Sequence, residues 1–118
     1  MTLYNGDRIF FDIRSGGPMT LQVVSAANLS EDAKDADTAV LYGRDVALLL
    51  HRLSTANADG CVTAGAPGSS KLLVSTLHDE LGRVTVVLET DDNVIHMKAY
   101  ERDMFASAVE SRAWRLFQ

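Results

Sequence analysis

Arg8-Ile9-Phe10-Phe11-Asp12-Ile13-Arg14 alternates without interruption. Ile9, Phe11 and Ile13 fall on one side, and Arg8, Phe10, Asp12 and Arg14 on the other. A period of two is the pattern of a strand with one face buried. Ser15-Gly16-Gly17-Pro18 follows with turn-forming residues, since glycine accepts positive φ and proline presets its own. Met19 to Ser25 then alternates again, with Met19, Leu21 and Val23 in phase. The two runs read as a β-hairpin.

Beyond the hairpin, Ala26 to Asp37 is polar and acidic and reads as an exposed loop. Ala39 to Tyr42 reads as a short strand leading into a helix over Arg44 to Ala56, where Val46, Leu49, Leu50 and Leu53 keep helical spacing. Leu48 lies off that stripe and predicts a helix buried on more than one side. Asn57 to Ser70 holds three Gly, one Pro and two Ser and reads as a loop inside the domain, with Cys61-Val62-Thr63 as an optional strand fragment. Leu72 to Leu77, Arg83 to Glu89 and Val94 to Tyr100 read as three strands joined by short turns, an antiparallel meander. Glu101 to Phe117 reads as a final helix with a stripe of Met104, Phe105, Ala108, Val109, Ala113 and Leu116. Its acids Glu101 and Asp103 lie near the start and Arg112 and Arg115 near the end, as the helix dipole prefers. The expected fold is α+β: an antiparallel sheet of five to six strands with two helices on one face, in the order β-β-(β)-α-β-β-β-α. Both halves place a short strand before a helix, but too few identities link them to establish a duplication.

With 118 residues, 47% apolar and 23% charged, the chain has the composition of one ordered domain spanning residues 1–118. Its net charge of −5 opposes general attraction to nucleic acid or anionic lipid. Cys61 is the only cysteine, which excludes an internal disulfide and a cysteine-based zinc site within one chain. The first residues lack a basic stretch followed by a long apolar run, and no apolar run approaches the ~18 residues of a membrane span. A cytoplasmic protein with no membrane partner is expected.

No cofactor or metal is expected. His51, His78 and His96 carry no ligand spacing. Gly65-Ala66-Pro67-Gly68-Ser69-Ser70-Lys71 has the wrong glycine spacing for a phosphate loop and precedes a strand instead of a helix. Asp32-Ala33-Lys34-Asp35-Ala36-Asp37 lacks the central glycine and distal glutamate of a calcium loop. Cys61 reads as a small buried apolar residue, no serine sits in a nucleophile elbow, and Asp79-Glu80 and Asp91-Asp92 read as solvated turn acids. A non-enzyme is therefore expected; an enzyme would need a deep pocket joining Cys61 or a histidine to loop carboxylates.

What remains is a binding surface. Strand phase turns Arg8, Phe10 and Arg14 away from the helices, with Arg83, Thr85 and Val87, and with His96, Lys98 and Tyr100. Trp114 and Phe117 near the end of the chain are expected to pack back on the domain, although Trp114 also suits an interface anchor. The candidate binding residues are Arg8, Phe10, Arg14, Arg83, Lys98, Tyr100 and Trp114. The first expectation is a protein-binding module acting by stoichiometric contact, with its acidic loops at Glu31 to Asp37 and Asp91-Asp92 suited to a basic partner, and with self-association to a homodimer through Phe10, Val24, Val87 and Tyr100. The alternative is single-stranded nucleic acid on an open sheet face. That alternative requires Arg8, Phe10, Arg83 and Lys98 to cluster.

Overall fold

In the computed structural model, which describes residues 1–28, 38–54 and 59–118, the alternating stretch forms strand β1 (Arg8–Ile13) with the expected phase. Ile9 and Ile13 are sealed and Phe10 is 41% exposed. Phe11 turns inward, its ring meeting that of Phe105 edge-on at 5.8 Å. The following turn needs its glycines, since Gly16 and Gly17 have φ of 80° and 77°, a region that side chains with a Cβ avoid. It delivers β2 (Met19–Val24), antiparallel to β1 from Ile13↔Met19 to Arg8↔Val24. β3 (Thr38–Leu41) flanks β2 on its other side.

Helix α1 (Gly43–Ser54) carries the chain to a second antiparallel sheet, ordered β4 (Gly60–Ala64), β5 (Leu72–His78), β6 (Val84–Glu89) and β7 (Val94–Lys98). Helix α2 (Ala99–Glu110) follows β7 at once, and a 3₁₀ turn over Ala113–Phe117 follows it. The helices pack on one another, α1 against β4 and β5 and α2 against β6 and β7. Their stripes and the inner faces of both sheets make one apolar cluster, with Leu49, Leu72, Leu88, Ile95, Met97 and Phe105 fully enclosed. Each such side chain contributes about 1.5–3 kcal/mol by leaving water. Among the described residues no helix is long and apolar enough to cross a membrane.

The α+β class and element order follow the sequence reading; several details are corrected. The strands form two sheets instead of one, because β7 meets the first sheet through side chains instead of a strand ladder. Asp7 accepts from Ala26 N at 2.8 Å and His96 N at 3.4 Å, and Asn93 Oδ1 accepts from Ser25 N at 3.0 Å. The glycine-rich segment contains a full strand, β4, bringing the described total to seven. Gly60 serves β4 because the Arg52 guanidinium occupies the space a Cβ would take. Tyr100 lies in α2 and not in a strand. The last helix stops at Glu110, and Met104 is exposed beside the buried line Glu101-Phe105-Val109. In α1 one stripe, Val46, Leu49 and Leu53, is buried and Leu48 faces out. The 3₁₀ turn also overturns the expected packing of the carboxyl-terminal aromatics: its period of three turns Leu116 to the core and leaves Trp114 exposed and Phe117 82% exposed. Of the acidic segment, Ala26–Asn28 forms a 3₁₀ turn; residues 29–37, including the Asp32 to Asp37 stretch, lie outside the described residues.

Candidate functional site

The amino-terminal residues fold back along β1. The Met1 ammonium donates to Ile9 O at 2.8 Å and Ile9 N returns a bond to Met1 O at 2.9 Å. Leu3 enters the core, and a turn closed by Gly6 N to Leu3 O at 3.0 Å throws Tyr4 outward, 56% exposed. That turn is anchored by Glu101 at the third position of α2. Glu101 is 3% exposed, and its carboxylate accepts from Tyr4 N at 2.8 Å and from Lys98 N at 3.0 Å. One buried carboxylate thus ties the Tyr4 turn to the start of α2 and satisfies an amide at a helix end that otherwise lacks a partner. Above this tie the Lys98 ammonium lies 4.1 Å from the Tyr4 ring centre, a cation–π contact.

The facing wall is the β5–β6 turn. Asp79 Oδ1 accepts from Leu81 N at 2.9 Å and Arg83 N at 2.8 Å, while its Oδ2 accepts from Arg83 Nε at 2.6 Å. The Arg83 backbone N–H, and then its guanidinium, hold the Asp79 carboxyl below the ordinary aspartate value. Between the walls lies an open groove of about 770 Å³ lined by Tyr4, Arg83, Val84, Thr85, Lys98 and Tyr100, with Asp79 at its margin. Asp79 offsets one of the two cations. No carboxylate lies within ion-pair distance of Lys98 among the described residues. The groove exposes two cations, Arg83 and Lys98, of which Lys98 has no ion pair among the described residues, beside two half-exposed tyrosine rings.

Three of the seven sequence-derived candidates, Arg83, Lys98 and Tyr100, therefore meet in one groove. Phe10 instead lines a separate depression on the first sheet with Asp12, Thr20, Gln22 and Thr38. Arg8 and Arg14 are exposed on β1 and just past it. Trp114 lies on the 3₁₀ turn under the Arg115 guanidinium, its indole donating to Ser111 O at 3.1 Å. The proposed sheet-to-sheet contact of Phe10, Val24, Val87 and Tyr100 does not form one face, because Val24 is buried and Tyr100 is helical. Sequence reasoning missed Tyr4, which lies in a turn with no periodicity; Asp79 is the exposed turn acid it was read as, but its bonds to Arg83 were not foreseen. The same reasoning placed Glu101 at a helix start but had no means of pairing it with Tyr4.

Cys61 is exposed on the outer face of β4 and not buried as expected. Across the second sheet it lies in the row Cys61↔Ser75↔Val87↔His96. Three interstrand steps separate Cys61 from His96, about 14 Å, far beyond proton transfer. His78 pairs with Asp59 at 2.5 Å and its hydrogen bond lowers the Asp59 carboxyl. A scan against protein-family models, a search of curated proteins and a search of solved structures each return no match.

Proposed function

We propose that the protein acts by stoichiometric contact, holding an acidic segment of a partner protein in the groove between the β5–β6 turn and the start of α2. The observation that carries this reading is the buried Glu101 carboxylate, which ties the backbones of Tyr4 and Lys98 together so that the Lys98 ammonium rests 4.1 Å from the Tyr4 ring centre. Side chains already held in place lose less freedom on binding, so more of the contact energy is expressed as affinity. Tyrosine and arginine are also the residue types that anchor protein interfaces. Exposed Cys61 fits a reducing compartment, and we place the protein in the cytoplasm on that ground.

The reading is tested by capture from source-cell lysate with the wild-type chain and with an Arg83→Glu/Lys98→Glu variant. A protein retained by the first and lost by the second is the expected result. Identical captured sets reject the groove. Phe10 does not join Arg83 and Lys98 as the sheet-face version of nucleic-acid binding required, so a second reading rests on the groove alone: single-stranded nucleic acid stacked on Tyr4 and Tyr100 with phosphates near Lys98 and Arg83. A labelled oligothymidylate that binds more tightly as salt is lowered supports it. Absence of binding at low salt removes it.

A further inference from the structure

The edges of the two sheets differ in how their backbone groups are used. In the β5–β6 turn Asp79 N donates to Arg83 O, which makes Asp79 and Arg83 a hydrogen-bonded pair. Hydrogen-bonded and non-hydrogen-bonded pairs alternate along an antiparallel ladder. By register, Leu77:Thr85, Ser75:Val87 and Leu73:Glu89 are then hydrogen-bonded pairs too. Leu72, Val74 and Thr76 must therefore turn their backbone groups to β4, where they meet Ala64, Val62 and Gly60. The N–H and C=O groups of Cys61 and Thr63 are left pointing out of the sheet. The same count from the Thr90 N to Asn93 O bond sends His96 N and Lys98 N out of β7. Both are found there, bonded to Asp7 and Glu101.

Three edges are occupied. β7 is closed by those carboxylates. On β1, Ile9 exchanges bonds with Met1, and the carboxyl-terminal 3₁₀ turn packs alongside. On β3, Val40 O accepts from Ala66 N at 2.8 Å and Val40 N donates to Ser69 Oγ at 3.4 Å. At β4 no hydrogen bond from another described residue reaches the outward groups of Cys61 and Thr63. Gly60-Cys61-Val62-Thr63-Ala64 also has no charge, proline or bulge, the devices that guard an edge against pairing.

We propose that β4 is the dimer interface, and that two copies pair antiparallel about a two-fold axis at Val62. This joins two four-stranded sheets into a continuous one of eight. The parity closes on itself. With Val62 opposite Val62 of the second copy, Cys61 stands opposite Thr63 of that copy and Thr63 opposite its Cys61. Both are then hydrogen-bonded pairs, and every outward group on both residues finds its partner. The two half-buried Val62 side chains meet as a close non-hydrogen-bonded pair. Further out, the register sets Asp59 opposite Gly65 of the second copy. Along Gly65 lies the Lys71 side chain, its ammonium on Gly65 O and Ala66 O at 2.6 and 3.2 Å. An acid thus approaches an ammonium on each side of the axis. The groove lies by β7, at the opposite edge of the sheet, so the dimer presents two open grooves to a multivalent partner. The inference stands independently of what the groove binds.

Sedimentation equilibrium of the full chain tests it, with circular dichroism as the check on folding. The wild type is expected to be a dimer. Thr63→Pro removes an outward N–H, which an edge strand tolerates, and is expected to weaken dimerisation about thirtyfold or more, from two lost bonds per dimer. Thr63→Lys, a charge on an exposed edge, gives the same answer should the proline disturb folding. Thr63→Cys reads the register: with native Cys61 of the other copy it is expected to form a disulfide-linked dimer under mild oxidation. The wild type does not, because two Cys61 residues sit diagonally at roughly 8 Å between Cα atoms, outside disulfide reach. A wild type monomeric at millimolar concentration overturns the proposal. So does a dimer unmoved by both Thr63→Pro and Thr63→Lys, or one that Thr63→Cys fails to cross-link.

Discussion

The two edges of the second sheet solve one problem in opposite ways. At β7 the outward amides of His96 and Lys98 are met by carboxylates delivered from far along the chain, Asp7 and Glu101. At β4 the equivalent groups of Cys61 and Thr63 meet no described side chain. A carboxylate can end a sheet as firmly as another strand, because a charged acceptor makes a stronger hydrogen bond than a neutral one. It also ends the sheet for good, whereas an unfilled edge stays open to another strand. The joint at β7 accordingly holds the two sheets together and shapes the groove, and the far edge is where the proposed second copy would add its strand.

The joint can be broken most severely at Asp7. This carboxylate is 5% exposed and accepts from Ala26 N, His96 N and the Asn5 side chain. Asp7→Ala leaves two backbone donors without acceptors where the sheets meet and is expected to cost about 3 kcal/mol, read as a drop in the urea midpoint. A loss below about 1 kcal/mol would mean that water replaces the carboxylate. Glu101→Ala comes next, at about 2 kcal/mol, from the lost cap and the freed Tyr4 amide. It carries a second readout: the Tyr4 turn loosens, so hydrogen exchange at Tyr4 N is expected to accelerate while amides in β5 stay protected.

The same contrast explains what was legible in the sequence. The phase of β1 was readable because Ile9, Phe11 and Ile13 have one buried face to satisfy, and a slip of one residue would expose all three. β4 resembled a loop because Gly60 and Gly65 bracket only two inward residues, Val62 and Ala64. Gly60 itself makes sense only once the Arg52 guanidinium is seen lying over it. The split into two sheets was invisible because it depends on Asp7 meeting His96, a pairing with no periodicity. Arg83 and Lys98 were picked out by strand phase and do share a surface, whereas Tyr100 joins them by a different route, as the second residue of α2. Arg8 and Arg14 had the right phase, but they belong to the other sheet.

A smaller effect of opposite sign is expected nearer the open edge. Thr76 lies on the inner face of β5 opposite Gly60, fully buried, and its hydroxyl has no hydrogen-bond partner among the described residues. Valine has nearly the same shape and no hydroxyl to desolvate. Thr76→Val is therefore expected to stabilise the fold by about 1 kcal/mol. Measured destabilisation would show that the hydroxyl has a partner, and would make this side of the sheet as well satisfied as the joint.

The smallest effect concerns the groove's far wall and appears only in acid. Asp79 is held below its ordinary value of 3.8 by the Arg83 backbone N–H and guanidinium. A carboxyl whose folded value is lowered favours the native state fully above the unfolded value. That contribution disappears as pH falls through the lowered folded value, because the protonated acid has lost its preference for the fold. Asp59, lowered by His78, acts in the same direction and window. Both groups are exposed, so solvent screens the effect, and it is best read as a slope. Between neutral pH and about pH 3, the melting temperature of Asp79→Asn is expected to fall less steeply than that of the wild type, and that of Asp59→Asn/Asp79→Asn less steeply still. Parallel curves for all three would show that the turn keeps its shape without the carboxylate. Arg83 would then owe its place in the groove to the Gly82 turn alone.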